Sequence, residues 1–338
     1  MGVEGDASQG LVFVRREGAG FDLARARLAD GAVRALWTTP DRDEAWPTWS
    51  DAARRLAFQV GGRHAREPSD LWTWQPGQDE PTPIWKTPRR DEAWPAWSPV
   101  AAQLAFAFRG GTQEPGVAVV AFEGGKQVVV PIASAAPPAL FLRPKFAPDG
   151  ASLVAQRRTE GDSQLFVLVR GREPRALTRD PAWFHLKGAF TRDGTRVVFT
   201  RRPRTGGPSQ VASVDLEGGD LRVLAGADGT DSQSGTPSPS RDEVAFVSSR
   251  DGNFELYLAP LGGGAPQRLS RAPDQDEGAP HWSPDGERIA VTLAPREPGG
   301  AARRNDEPLE GTRVRVVDRS GQVLFETPGL MPDWMPAW

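Results

Sequence analysis

Cysteine is absent from this chain, and tyrosine occurs once. The first absence excludes disulfides, thiolate nucleophiles and cysteine-ligated zinc. No apolar run approaches the roughly 20 residues that a bilayer-spanning helix needs. The opening MGVEGDASQG lacks a basic stretch followed by a hydrophobic one, so no signal peptide is read there. Neither sign of charge dominates: 41 basic and 44 acidic side chains leave a formal charge of −3. Nothing in that balance calls for nucleic acid or an anionic membrane as partner. Also missing are a G-x-S-x-G nucleophile elbow, a P-loop and a G-x-G-x-x-G opening a helix.

What the chain has in abundance is punctuation. Its 37 glycines and 32 prolines favour many short strands over long helices. Tryptophan occurs twelve times, and some of these residues repeat at a fixed phase, which points to a slot filled once per repeated unit. Taking Trp49 as anchor, the same slot is filled by Trp97, Phe146, Phe190, Pro237, Trp282 and Trp338, one every 45 or so residues. Nine residues beyond each internal anchor an apolar triplet ends, at Phe58, Phe106, Ala155, Phe199, Phe246 and Val291. Turn residues lie between, as in SPDGER, where Asp-Gly supplies the positive φ of a tight reversal. A third strand follows in each unit (LWTW, VAVVAF, LFVLV, VASVDL, ELYL, RVRVVD) and a fourth closes it (PIWKT, QVVVPI, RALTR, RVLAG, QRLS, QVLFET). Four short antiparallel strands per unit make a propeller blade.

The predicted fold class is therefore all-β, a seven-bladed β-propeller, with six blades as the alternative count. One propeller domain spans 1–338, behind a flexible leader at 1–9. Its blades run over about 332–338 plus 10–42, then 43–90, 91–140, 141–183, 184–230, 231–275 and 276–331. The first is composite: the N-terminal segment supplies strands two to four, and the C-terminal PDWMPAW supplies strand one. Such closure removes the open sheet edges of an unclosed ring.

The stretches PHWSPDGERIAV (280–291), KFAPDGASLVA (145–155), SSRDGNFELYLAPLGGGAPQRLS (248–270) and the two DEAWPxWS boxes resemble the bacterial WD40-like repeats called PD40, or TolB-like propellers. The resemblance covers essentially the whole chain. It implies an exported, periplasmic binding protein of the cell envelope, although related repeats also occur in peptidase propellers and sugar-degrading lyases.

On the propeller face with the long second-to-third loops, acids precede each first strand while arginines such as Arg109, Arg201, Arg296 and Arg303 occupy the outer loops. Two readings of the acids are open. In one they hold each blade to the next. In the other Asp43, Glu44, Asp91, Glu92, Asp231, Asp276, Glu277 and Asp333 form an acidic channel mouth, with Trp46, Trp94 and His281 as walls, that attracts a basic or mixed-charge peptide segment or a cation such as Ca. The function expected is a non-catalytic, monomeric scaffold without a resident cofactor. The alternative is a metal-dependent lyase or hydrolase of acidic oligosaccharides using His185, His281 and channel acids, with His64 remote in an outer loop.

Overall fold

The computed structural model describes residues 9–18, 20–62, 68–85, 90–111, 114–124, 126–296 and 311–337. These residues contain no helix and build seven four-stranded antiparallel sheets. The protein is a seven-bladed propeller. We number the blades I to VII, and their innermost strands are Leu330–Pro336 (I), Arg42–Ser50 (II), Arg90–Trp97 (III), Leu140–Phe146 (IV), Trp183–Phe190 (V), Ser232–Pro237 (VI) and Gln275–Trp282 (VII). Blade I is composite as expected: Leu330–Pro336 pairs with Gln9–Glu17, placing Leu11 opposite Trp334 and Gln9 opposite Pro336. Residues 1–8 of the expected leader, together with His64, Arg303 and Trp338, lie outside the described residues.

The apolar triplets form the second strands and fill the space between sheets. Phe13, Phe58, Phe106, Phe199, Phe246 and Val291 are all fully buried. Each such side chain contributes about 1.5–3 kcal/mol through removal from water. The Asp-Gly turns adopt their expected form: Gly150, Gly194 and Gly286 have φ near +70°. The carboxylates of Asp149, Asp193 and Asp285 accept backbone amides two residues on. The fourth strands are shorter than the sequence suggested in blades II, IV and VI, where only Thr82–Pro83, Arg175–Ala176 and Gln267–Arg268 pair. Prolines and turns around those dipeptides end the ladder early.

One anchor is corrected. The slot in blade I is filled by Trp334, four residues before Trp338. The indoles of Trp97, Trp282 and Trp334 each donate Nε1–H to a carbonyl of the preceding blade: Thr48 (2.9 Å), Thr236 (3.0 Å) and His281 (2.9 Å). Each acceptor immediately precedes its own blade's anchor, which fixes the phase. Replacing Trp334 by phenylalanine deletes this donor at the ring closure. We expect a loss of about 1–2 kcal/mol, measured as a lower urea midpoint.

Every innermost strand carries the same irregularity. Its register against the second strand slips by one residue, between Ala45 and Thr48 in blade II and at the matching place in the other six. The residue at the slip has positive φ in each case: Trp46, Trp94, Arg143, Lys187, Ser234, Ala279 and Met331, all between 49° and 56°. None is glycine, although an L-residue gives up roughly 1–2 kcal/mol in that conformation. The following position is proline in five blades and glycine in blades V and VI. At Gly235 a Cβ would lie 2.5 Å from a Val211 methyl carbon, so only glycine fits there.

Candidate functional site

The seven bulges converge on the propeller axis, and there they enclose a cavity of about 240 Å³. Its upper ring is formed by the bulge residues themselves and its lower ring by Thr48, Lys145, Ala189, Thr236, His281 and Asp333, two positions further along. The backbone repeats around the axis, but the side chains do not. Blades II and III contribute indoles, blades IV and V contribute cations, and blade I a thioether and a carboxylate. The Arg143 guanidinium lies over both indoles, 5.2 Å from the Trp46 ring centre and 5.7 Å from that of Trp94. Lys187 Nζ stands 3.4 Å from Ser234 Oγ.

Among the described residues, the charged groups of the lining are three cations and one carboxylate. These are Arg143, Lys145, Lys187 and Asp333, whose Oδ2 accepts the Trp49 amide at 3.0 Å. Lys145 is open to the channel, yet the surrounding ring strips enough water to hold its ammonium below the ordinary lysine value; Asp333 opposes that and Arg143 adds to it. Burial likewise lowers His281, with Asp333 pulling upward and Lys145 and Lys187 pushing down. Loss of water is the main cause of both shifts.

Of the residues expected at an acidic mouth, Trp46, Trp94, His281 and Asp333 line this cavity. Asp43, Glu44, Asp91, Glu92, Asp231, Asp276 and Glu277 do not. The aspartates turn to the preceding blade and cap the start of its third strand: Asp43 accepts from Phe21 N (3.1 Å), Asp91 from Ser69 N (2.9 Å), Asp231 from Ser209 N (3.0 Å) and Asp276 from Phe254 N (2.9 Å). The glutamates reach two residues deeper, where Glu92 accepts from Leu71 N (3.1 Å) and Glu277 from Leu256 N (2.7 Å). Glu44, Glu92 and Glu277 are fully buried. Unsatisfied strand amides at each blade junction are costly, and an acid one blade on supplies the acceptor. The acids of the DEAWP box are thus inter-blade clamps.

Three of the arginines expected as an outer rim are engaged as well. Arg109 pairs with Asp91 at 2.7 Å, Arg201 lies over the Trp183 ring, and Arg296 donates to the Gly252 carbonyl. His185 fills the slot that glutamate takes in blades II, III and VII. It is buried, its ring 5.4 Å from that of Phe199, and burial pushes it down to about 4. It does not line the axial cavity with His281. Among the described residues, no group of three or more His, Asp or Glu is placed to hold a metal ion.

Sequence reasoning missed Arg143, Lys145, Lys187, Ser234 and Met331. The signal was available, since Trp46 and Trp94 precede their anchors by three residues, and so do Arg143, Lys187, Ser234 and Ala279.

No family model matches the chain. Among solved structures, it is similar to a putative TolB from Agrobacterium tumefaciens, at 16% identity over 96% of this chain and 90% of that one, with a TM-score of 0.53. TolB from Acinetobacter baumannii is similar at 17% identity, covering 96% and 82% of the two chains, with a TM-score of 0.56. A puromycin-hydrolysing peptidase from Mycobacterium tuberculosis is similar at 14% identity and a TM-score of 0.62, over 85% of this chain but 48% of that one. The TolB-like resemblance read from the repeats therefore holds at the level of fold.

Proposed function

We propose that this protein is a binding scaffold that takes a segment of a protein or peptide partner into its axial cavity from the long-loop face, and that it works in the cell envelope. The observation that carries this reading is the ring of seven bulges. Strained backbone at seven equivalent positions, each bearing a different side chain, is what a rigid frame needs to present recognition groups to a common centre. The likeness to TolB structures supports the frame and the compartment.

A photocrosslinking residue placed at Trp94, with a second variant carrying it at the exposed Val323 on the outer edge of blade VII, tests the reading in envelope extracts of the native host. A discrete protein adduct at position 94 and none at 323 is expected. Adducts at 323 alone, or at neither position, would overturn it.

A further inference from the structure

We propose that Lys145 is a carbonyl-capturing amine: its Nζ, in the lower ring of the axial cavity, condenses reversibly with a small aldehyde whose apolar or aromatic body rests against Trp46 and Trp94. This goes beyond the scaffold reading. It concerns the same cavity and stands or falls separately.

Four observations carry it. First, the chain uses arginine for nearly all of its bases. Lysine fills only four of the 41 basic positions, 86, 126, 145 and 187, yet two of the three bases lining the cavity are lysines. A guanidinium stays protonated and offers no lone pair, whereas an amine can lose its proton and attack carbon. Second, Lys145 has no hydrogen-bond or ion-pair partner among the described residues, and its side chain is open to the channel. Third, its ring also holds the His281 imidazole, likewise without a side-chain hydrogen bond among the described residues, and the Asp333 carboxylate, fixed through Oδ2 by the Trp49 amide. The field of Asp333 reaches both Lys145 and His281, so a nucleophile, a base and a carboxylate share one cavity. Fourth, at about 240 Å³ the cavity lies just below the roughly 300–1,000 Å³ of sites that enclose drug-sized ligands, which selects a small one, and two half-buried indoles wall it.

In the condensation the Nζ lone pair forms a bond to the carbonyl carbon while the C=O π pair moves to oxygen. The oxygen gains a proton, the nitrogen loses one, and the resulting carbinolamine expels water as the C=N bond forms. Amine and aldehyde thus give imine and water with nothing oxidised or reduced, and His281 and Asp333 are the proton carriers within reach. An ordinary lysine is neutral at pH 7 in about one molecule in a few thousand. Loss of water around Lys145, opposed by Asp333 and reinforced by Arg143, enlarges that fraction.

The test treats the intact protein at pH 7 with 3-phenylpropanal and cyanoborohydride, which reduces an imine to a stable secondary amine, and locates the adducts by peptide mass mapping. Lys126, exposed where the third and fourth strands of blade III turn, is the reference within the same molecules. Lys145 is expected to be trapped at least about ten-fold faster than Lys126. The charged and titratable groups sharing its cavity are Arg143, Lys187, His281 and Asp333, and with these in place the ratio should shrink as pH is raised toward about 10, where an ordinary lysine loses its proton. In urea it should vanish. Lys145→Arg should remove the fast adduct, and Trp94→Ala should cut the advantage of 3-phenylpropanal over propanal at Lys145 by several-fold while leaving Lys126 unchanged.

Equal rates at Lys145 and Lys126, no adduct at Lys145 in the folded wild-type protein, a fast adduct that persists in Lys145→Arg, or an aromatic advantage unchanged in Trp94→Ala would overturn the inference. A crosslinked partner at position 94 without selective trapping at Lys145 keeps the scaffold and removes the capturing amine. Selective trapping without any crosslinked partner does the opposite.

Discussion

Replacing Glu277 by alanine is expected to remove about 3–5 kcal/mol of folding stability, the largest loss we expect from any single clamp residue. Its carboxylate is fully buried between blades VI and VII. It accepts the Leu256 amide at 2.7 Å and the Ser270 hydroxyl, and it faces Arg315 at 3.4 Å. Alanine would leave a buried strand amide and a buried hydroxyl without their acceptor, and Arg315 with Glu326 as its remaining carboxylate. Glutamine keeps an oxygen for Leu256 and should cost about 1–2 kcal/mol. Asp43, only half-buried and accepting from Phe21 N, should cost about 1 kcal/mol when changed to alanine. Urea unfolding at pH 7 reads all three. Equal midpoints for Glu277→Ala and wild type would contradict the clamp.

Stability is expected to fall as pH rises from about 4.5 to about 8, because two clamps are carboxyls held protonated by the fold. Burial pushes Glu92 up to about 8, with Asp70 raising it further and the Leu71 amide opposing. Burial also pushes Glu44 up to about 8 against its bond from Thr39, and Asp22 adds to the rise by sharing a hydrogen bond and repelling a second negative charge. In the unfolded chain both ionise near 4.5. Between that value and about 8 the native state binds more protons, so raising the pH favours unfolding, by up to about 1.4 kcal/mol per pH unit for each group. His185 acts with the opposite sign: its folded value near 4 lies below 6.5, so its contribution is complete above 6.5 and lost as pH falls through 4. The decline should therefore be shallow up to about pH 6.5 and steeper from there to pH 8. The Glu44→Gln, Glu92→Gln double variant should flatten the slope, leaving the part due to Glu277, which burial also raises, and be the more stable protein at pH 8. A melting temperature independent of pH across that range in the wild type would refute the assignment.

The fold was legible because it is periodic. Anchors, triplets and Asp-Gly turns repeat at constant offsets, and those offsets became strands and reversals. The clamp was legible too. Asp43, Asp91, Asp231 and Asp276 each follow the amide they cap by 22 residues, and Glu92 and Glu277 follow theirs by 21. Spacing so constant belongs to architecture more than to a ligand site. The cavity was harder to see because its residues share a backbone position and no chemical type: Trp46, Arg143, Lys187 and Met331 look unrelated until the bulge aligns them. Lys145 holds the position of His281 one residue before its anchor, and charge grouped along the sequence directed attention to the acids instead. At the C-terminus two tryptophans four apart, in DWMPAW, left the phase ambiguous, and only the indole bond to His281 resolves it.

The bulge has a geometric consequence of its own. Along a regular strand, side chains alternate between faces, so residues five apart point opposite ways. Glu92 and Trp97 are five apart in blade III, yet both grip blade II, one at the Leu71 amide and one at the Thr48 carbonyl. The extra residue at Trp94 makes this possible by resetting the alternation between them. In blades III and VII the inserted residue thus puts two handholds on the same neighbour and leaves a third side chain, between them, directed at the axis. Stacking and recognition are separated on a single strand, and the seven axial positions can be exchanged one at a time while the stack that carries them stays the same.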